Sequence, residues 1–133
     1  MKNSDFPTAE KSLEQISNLI QTSLDAGADS ADAIVGGSTS ISASCRLEKL
    51  EDFERSEDWE LGLRVFIGTR QAIVSSSDPS EDAMSELVER AINMARAVPE
   101  DPYVGLADTC QLTKITHDLD ECDPCEPSVD DLI

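Results

Sequence analysis

An α+β fold is what this sequence predicts, with elements in the order α-β-β-β-β-α and an antiparallel meander covered on one face by two helices. Three observations carry the expectation. Apolar residues recur at helical spacing near both ends of the first hundred residues, and the period changes to two in between. The connections between the strand-like runs are too short for parallel crossovers, which need a dozen or more residues. Two amphipathic helices and one sheet then bury their apolar faces against each other as two layers.

The first helix is read from Leu13, Ile16, Leu19, Ile20 and Leu24, with a polar face supplied by Lys11 to Gln21. Gly27 follows the pattern as its stop, and Asp5 or Thr8 is positioned to cap its start. The second helix opens at Asp78-Pro79-Ser80-Glu81, with Asp78 expected at the cap, Pro79 in the first helical position and Glu81 in the third. That order satisfies free amides, suits the fixed φ of proline and complements the helix dipole. Met84, Leu87, Val88, Ala91, Ile92 and Ala95 form its stripe, and Val98-Pro99 ends it.

Four strands are expected between the helices. In the first, Thr39, Ile41, Ala43, Cys45 and Leu47 share one face, and Ser38, Ser40, Ser42, Ser44 and Arg46 the other. Cys45 therefore reads as a small buried core residue. Leu50 to Arg55 is a second, more polar strand, and Leu61, Leu63, Val65 and Ile67 form the inner face of a third. The fourth runs from Ala72 to Ser75 after the turn Gly68-Thr69-Arg70. Leu63, Val65, Leu87 and Ile92 are expected to be buried together.

The opposite sheet face offers serines, Gly62, Arg64, Phe66 and Gly68, and both helices are committed elsewhere. It reads either as a solvated face or as contact surface for another domain or subunit, with Ser40, Ser42, Arg64 and Phe66 as the candidate interface. Past Val98 the composition shifts: Pro99, Pro102, Pro124 and Pro127 occur with Lys114 as the sole Lys or Arg. Residues 1–108 are thus expected to form the domain, and 109–133 an acidic, proline-containing linker or the start of a further region.

Size and charge narrow the function. A chain of 133 residues supports one modest core, and with aromatics at 4% that core is mostly aliphatic. No run approaches a membrane span, and Met1-Lys-Asn-Ser-Asp-Phe-Pro7 lacks the apolar stretch of a signal peptide, so a cytoplasmic protein is expected. A formal net charge of -18 repels phosphate backbones and anionic lipid, so neither nucleic acid nor membrane is an expected partner. The acidity reads as a solubilising surface or as complementarity to a basic partner.

Catalytic and metal-binding patterns fare poorly. Cys110, His117, Cys122 and Cys125 offer one possible zinc set, but only one CxxC is present where structural sites usually pair two. As a redox pair, Cys122 and Cys125 are surrounded by Asp120, Glu121, Asp123 and Glu126, which raise rather than lower a thiol pKa. A calcium loop counted from Asp118 requires acids where Cys122 and Val129 stand. His117 is the only histidine and sits in the expected linker, so no serine has a positioned imidazole. No catalytic, metal or cofactor residue is assigned, and with the thiols expected to be reduced, no disulfide is either.

The run Phe53-Glu-Arg-Ser-Glu-Asp-Trp-Glu-Leu-Gly-Leu-Arg-Val-Phe-Ile-Gly68, followed by Ser75-Ser-Ser-Asp-Pro-Ser80 and Asp101-Pro-Tyr-Val-Gly-Leu-Ala-Asp108, resembles the N-terminal domain of the TldD/PmbA family of bacterial zinc peptidases. The tail, Asp118-Leu-Asp120 and Asp123-Pro-Cys-Glu-Pro-Ser128, is more similar to the PmbA (TldE) branch. The resemblance implies a parent with a C-terminal peptidase-type domain. It also implies a PmbA-type subunit that lacks metal ligands and pairs with a TldD-like subunit whose own C-terminal domain holds zinc. The implied substrate is unfolded peptide, processed in the cytoplasm. The HExxxH-type helix of the family is absent from these residues, so no catalytic residue is carried over. The role expected of the chain is to build the subunit interface and enclose a substrate chamber. A free-standing acidic module that binds a basic protein is the alternative.

Overall fold

The computed structural model describes residues 8–115, 117–121, 125 and 127–132. Its elements run α1 (Ala9–Asp25), β1 (Ser30–Arg46), β2 (Lys49–Ile67), β3 (Arg70–Ser76) and α2 (Glu81–Ala97), followed by two short 3-10 turns. The strands form one sheet in the order β1-β2-β3. By compactness the chain divides in two. Residues 1–37 and 58–106 form one unit, and residues 38–57 and 107–133 the other.

In the first unit, α1 is capped by Thr8, whose hydroxyl accepts the Lys11 N–H at 3.4 Å; of the two caps expected, Asp5 lies outside the described residues. Its C-terminus closes at Gly27, which has φ +103°. There the Gly27 N–H donates to Leu24 O at 3.0 Å and the Ala28 N–H to Ser23 O at 3.0 Å. This paired closure satisfies carbonyls that the helix leaves free, and it requires a left-handed residue where glycine has no Cβ penalty.

The α+β class with an antiparallel sheet and two helices stands, but the sheet has three strands rather than four. The expected second and third strands are one continuous strand, β2, because the charged run between them stays extended. Solvent-facing charges interrupt the apolar pattern without interrupting the backbone ladder. β1 also starts earlier than expected, at Ser30, with Ala31, Ala33 and Val35 partly buried against the core. β2 and β3 pair antiparallel from Leu61↔Ser76 to Ile67↔Arg70 through the turn at Gly68, φ +57°.

α2 begins two residues later than the sequence suggests. Ser80 is the cap, accepting the Ala83 N–H at 3.3 Å, while the Asp78 carboxylate accepts the Ser80 N–H at 2.9 Å and shapes the turn before it. Asp78 is thus an Asx-turn residue, and Pro79 precedes the helix. The expected end holds: the Val98 N–H donates to Met94 O at 3.1 Å, and Pro99 follows.

The core gathers Leu61, Leu63 and Val65 from β2, Ala72 and Val74 from β3, Leu19 from α1, and Leu87, Val88, Ala91, Ile92 and Ala95 from α2. α2 packs on β3, and α1 packs on α2. The expected joint burial of Leu63, Val65, Leu87 and Ile92 is therefore observed. α1 gives less than its stripe suggested: Leu19 is buried, whereas Leu13 is 64% exposed.

The second unit contains the β1–β2 hairpin tip. Leu47 and Glu48 form its two-residue turn, both with positive φ, 50° and 61°. Positive φ at both central residues is the geometry whose twist matches the strands it joins. Two expectations fail here. Leu47 is 88% exposed at the turn rather than on an apolar face, and Cys45 is an exposed thiol rather than a core residue. Period-two alternation identified the strand correctly, but no helix-packed core lies against its tip residues in this unit.

Candidate functional site

Alternation along β2 sends Leu61, Leu63 and Val65 inward, so Gly62 and Arg64 lie on the opposite face of the first unit. There Arg64 forms a two-pronged pair with Asp32 of β1. Its Nε–H donates to Oδ1 at 2.8 Å, and Nη2 meets Oδ2. The Arg64 guanidinium also lies 5.1 Å from the centroid of the Phe66 ring. The hydrogen bond that Arg64 donates to the Asp32 carboxylate raises the Arg64 pKa above its ordinary value, so the guanidinium stays charged opposite the carboxylate. Both side chains remain more than a third exposed, which limits the pair to about 1 kcal/mol or less of stability.

Around this pair the surface is aliphatic. Ile34 of β1 is 73% exposed and Ile73 of β3 is 63% exposed. Together with Gly62 they border a hollow of about 310 Å³ beside Asp32 and Arg64. A Cβ on Gly62 would come within 3.3 Å of the Ile34 methyl, so glycine lets the two strands' side chains share the face. A second hollow of about 550 Å³ lies between α1 and β1, lined by Leu13, Ile16, Ile34, Gly36 and Trp59 among others. The Trp59 indole N–H is shielded from water and has no acceptor among the described residues.

The candidate interface residues fall into two groups. Arg64 and Phe66 are stacked in the first unit, while Ser40 and Ser42 are exposed residues of the second. The Ser40 hydroxyl lies 3.2 Å from that of Ser56. Phe66 needs correction as an exposed anchor: it is only 3% exposed, with the Arg64 guanidinium over its ring. Its carbonyl accepts the Asp29 N–H at 2.8 Å. Asp32, Ile34 and Ile73 are the residues of this face that sequence reasoning missed. The signal for Asp32 and Ile34 was the period-two run Ala31, Ala33, Val35, which begins the strand eight residues before Ser38.

Among the described residues no group of three or more His, Cys, Asp or Glu side chains is arranged to hold a metal. Cys45 and Cys110 are exposed free thiols, Cys125 is exposed, and Cys122 lies outside the described residues.

Residues 31–95 match the model of the PmbA/TldA metallopeptidase domain 1. Over 105 residues, 79% of this chain, the sequence is 36% identical to metalloprotease PmbA of Escherichia coli O157:H7. The chain belongs to the PmbA/TldD family. It corresponds to the N-terminal domain of that family and covers 23% of the E. coli relative. The PmbA homologue of Haemophilus influenzae is 36% identical over 100 residues, covering 74% of this chain and 22% of the relative.

The fold is shared more widely than the sequence. The structure of TldE from Thermococcus kodakarensis matches 71% of this chain and 21% of its own, with a TM-score of 0.64 at 21% identity. A Bacteroides thetaiotaomicron protein described as a candidate modulator of DNA gyrase matches 84% of this chain and 25% of its own, with a TM-score of 0.76 at 15% identity. Both likenesses concern the fold alone. No helix among the described residues is long and apolar enough to cross a membrane.

Proposed function

We propose that this chain is the non-catalytic N-terminal domain of a PmbA/TldE-like subunit in a cytoplasmic TldD–PmbA metallopeptidase assembly. In that role it contributes subunit interface and part of the chamber that receives unfolded peptide. One observation carries the reading: the helix-free sheet face holds exposed Ile34 and Ile73 around an ion pair that is already satisfied. A face whose aliphatic side chains surround a paired charge costs less to desolvate than one that carries a lone ion, because covering it strands no unpaired charge. The curated relatives, about four times longer than the matched segment, supply the second support. Their remaining length accommodates a C-terminal domain, the subunit's own or a TldD-like partner's, for the face to meet.

Zinc belongs, in this reading, to the C-terminal domain of the TldD-type partner. The described residues here offer no ligand group for it, so no chemical step is assigned to this chain. The test is hydrogen exchange on the longer PmbA-type protein, alone and mixed with a TldD-type subunit. Backbone amides around Ile34, Arg64 and Ile73 are expected to gain protection on assembly. Unchanged exchange across all three strands would leave the face solvated and the reading without support. Saturable binding of a basic protein by the 133-residue chain alone would favour the acidic-module alternative instead.

A further inference from the structure

α1 packs on α2, and a hollow of about 430 Å³ opens between them. That size admits a small organic molecule, since ligand pockets usually run from about 300 to 1,000 Å³. Helical spacing builds its two walls. Lys11, Glu14, Gln15 and Asn18 recur on one face of α1, and Glu81, Met84 and Val88 on one face of α2. Buried Leu19 and Val88, with Met84 packed against the core, give the hollow an apolar floor.

Its charged groups are unpaired. Lys11 and Glu14 stand one turn apart, a spacing at which opposite charges often meet, and Glu81 lines the same hollow from α2. Yet none of the three side chains makes an ion pair or a hydrogen bond among the described residues. Gln15 is a second, independent sign: its Oε1 is shut off from water and accepts no hydrogen bond among those residues. An acceptor left so is unfavourable, and the soft terminal torsion of glutamine can turn it toward a donor in the hollow. The hydroxyls of Thr22 and Ser85 already donate to Asn18 O at 2.9 Å and Glu81 O at 3.0 Å, so they supply no such donor.

These groups describe one kind of ligand. A carboxylate answers Lys11, an ammonium answers Glu14 and Glu81 with a further hydrogen for Gln15, and an apolar body covers the floor. Its two charges must lie close together, because residues three apart on a helix have Cβ atoms only about 5–6 Å apart. An α-amino acid carries both charges on one carbon. We infer that the hollow between α1 and α2 binds a free α-amino acid with an aliphatic side chain. The inference goes beyond the subunit reading and does not rest on it: the walls here are the two helices, whereas the assembly face is the helix-free one. A simple amine is a poorer occupant, since it would leave Lys11 unpaired beside a second cation.

The probe is L-leucine, titrated into the isotope-labelled 133-residue chain and followed by backbone amide shifts in NMR spectra. Saturable shifts are expected along residues 11–22 and 81–88, with a Kd of about 1 mM, ordinary for so few atoms. N-acetyl-L-leucine, which lacks the ammonium, should bind at least fivefold more weakly, and glycine, which lacks the side chain, at least fivefold more weakly too. L-leucinamide lacks the carboxylate and should bind at least threefold more weakly, although its positive charge would by itself favour a chain of net charge -18. Lys11→Gln should abolish that preference, and Glu81→Gln should weaken L-leucine at least threefold. Both side chains are exposed, so circular dichroism should show both variants folded. Three results would overturn the inference: no saturation by about 20 mM L-leucine, affinity for any of the three analogues equal to that for L-leucine, or a preference for L-leucine over L-leucinamide that survives Lys11→Gln.

Discussion

Leu87→Ala is the most exacting test of how this domain is held together. Leu87 is 1% exposed and sits in the cluster with Leu61, Leu63, Val65 and Ile92, where α2 meets the sheet. Truncation removes three carbon atoms from that environment. At about 0.8 kcal/mol per buried methylene the transfer loss is about 2.4 kcal/mol. A neighbouring sheet cannot collapse fully onto the vacated volume, so a cavity cost adds to it and the total falls at about 3–4 kcal/mol, inside the range of about 2–5 for buried Leu→Ala. For a domain of this size, with a urea slope of about 1–2 kcal/mol/M, the midpoint should drop by about 2 M with the slope unchanged. Leu13→Ala, on the exposed side of α1, should move stability by no more than about 0.5 kcal/mol. Urea unfolding followed by circular dichroism reads both. A loss under about 1 kcal/mol for Leu87→Ala, or a loss at Leu13 as large as at Leu87, would refute the packing.

Three further outcomes are expected. Replacing Leu47-Glu48 with Asn-Gly should stabilise the hairpin by about 0.5–1 kcal/mol, because both positions hold positive φ that the native side chains resist; a fall in the unfolding midpoint would count against this turn geometry. The hydrogen bond from the Ser80 backbone holds the Asp78 carboxyl below its ordinary pKa. A depressed folded-state pKa means that its contribution is full above the unfolded-state value and is lost as pH falls through the folded one. The stability gap between the wild type and Asp78→Asn should therefore shrink on acidification below the ordinary carboxylate range; a gap that widens instead would reverse the assignment. Rigorously pure chain should show no cleavage of an unfolded fluorogenic peptide, with zinc or without it, because open catalytic zinc sites need three positioned ligands; metal-dependent turnover would contradict that.

Periodicity made the two helices, the inner face of β2 and the mutual burial of Leu63, Val65, Leu87 and Ile92 legible before any coordinates, because amphipathic elements bury the stripe that their own spacing creates. The motif order from Phe53 to Asp108 made the PmbA/TldD family legible too. Local chemistry was less decisive where two residues competed for one role. Asp78 and Ser80 are both good caps, and only the path of the chain into α2 settled that Ser80 caps while Asp78 shapes the turn. The merging of two expected strands into β2 was hidden because charges on a solvated ladder look like a loop in sequence.

The candidate site depended most on tertiary structure. Phe66 alternates with inward residues and so read as exposed, yet the Arg64 side chain lies over its ring and the residue is buried. Asp32 was a lone acid among many until β1 carried it beside Arg64, 32 residues away in sequence. Sequence alone therefore determined which residues want to leave water, since that preference belongs to each side chain and its spacing. Which polar groups become partners, and which apolar ones stay exposed at Ile34 and Ile73, only the tertiary structure decided, because those are properties of distances between segments that the chain order does not contain.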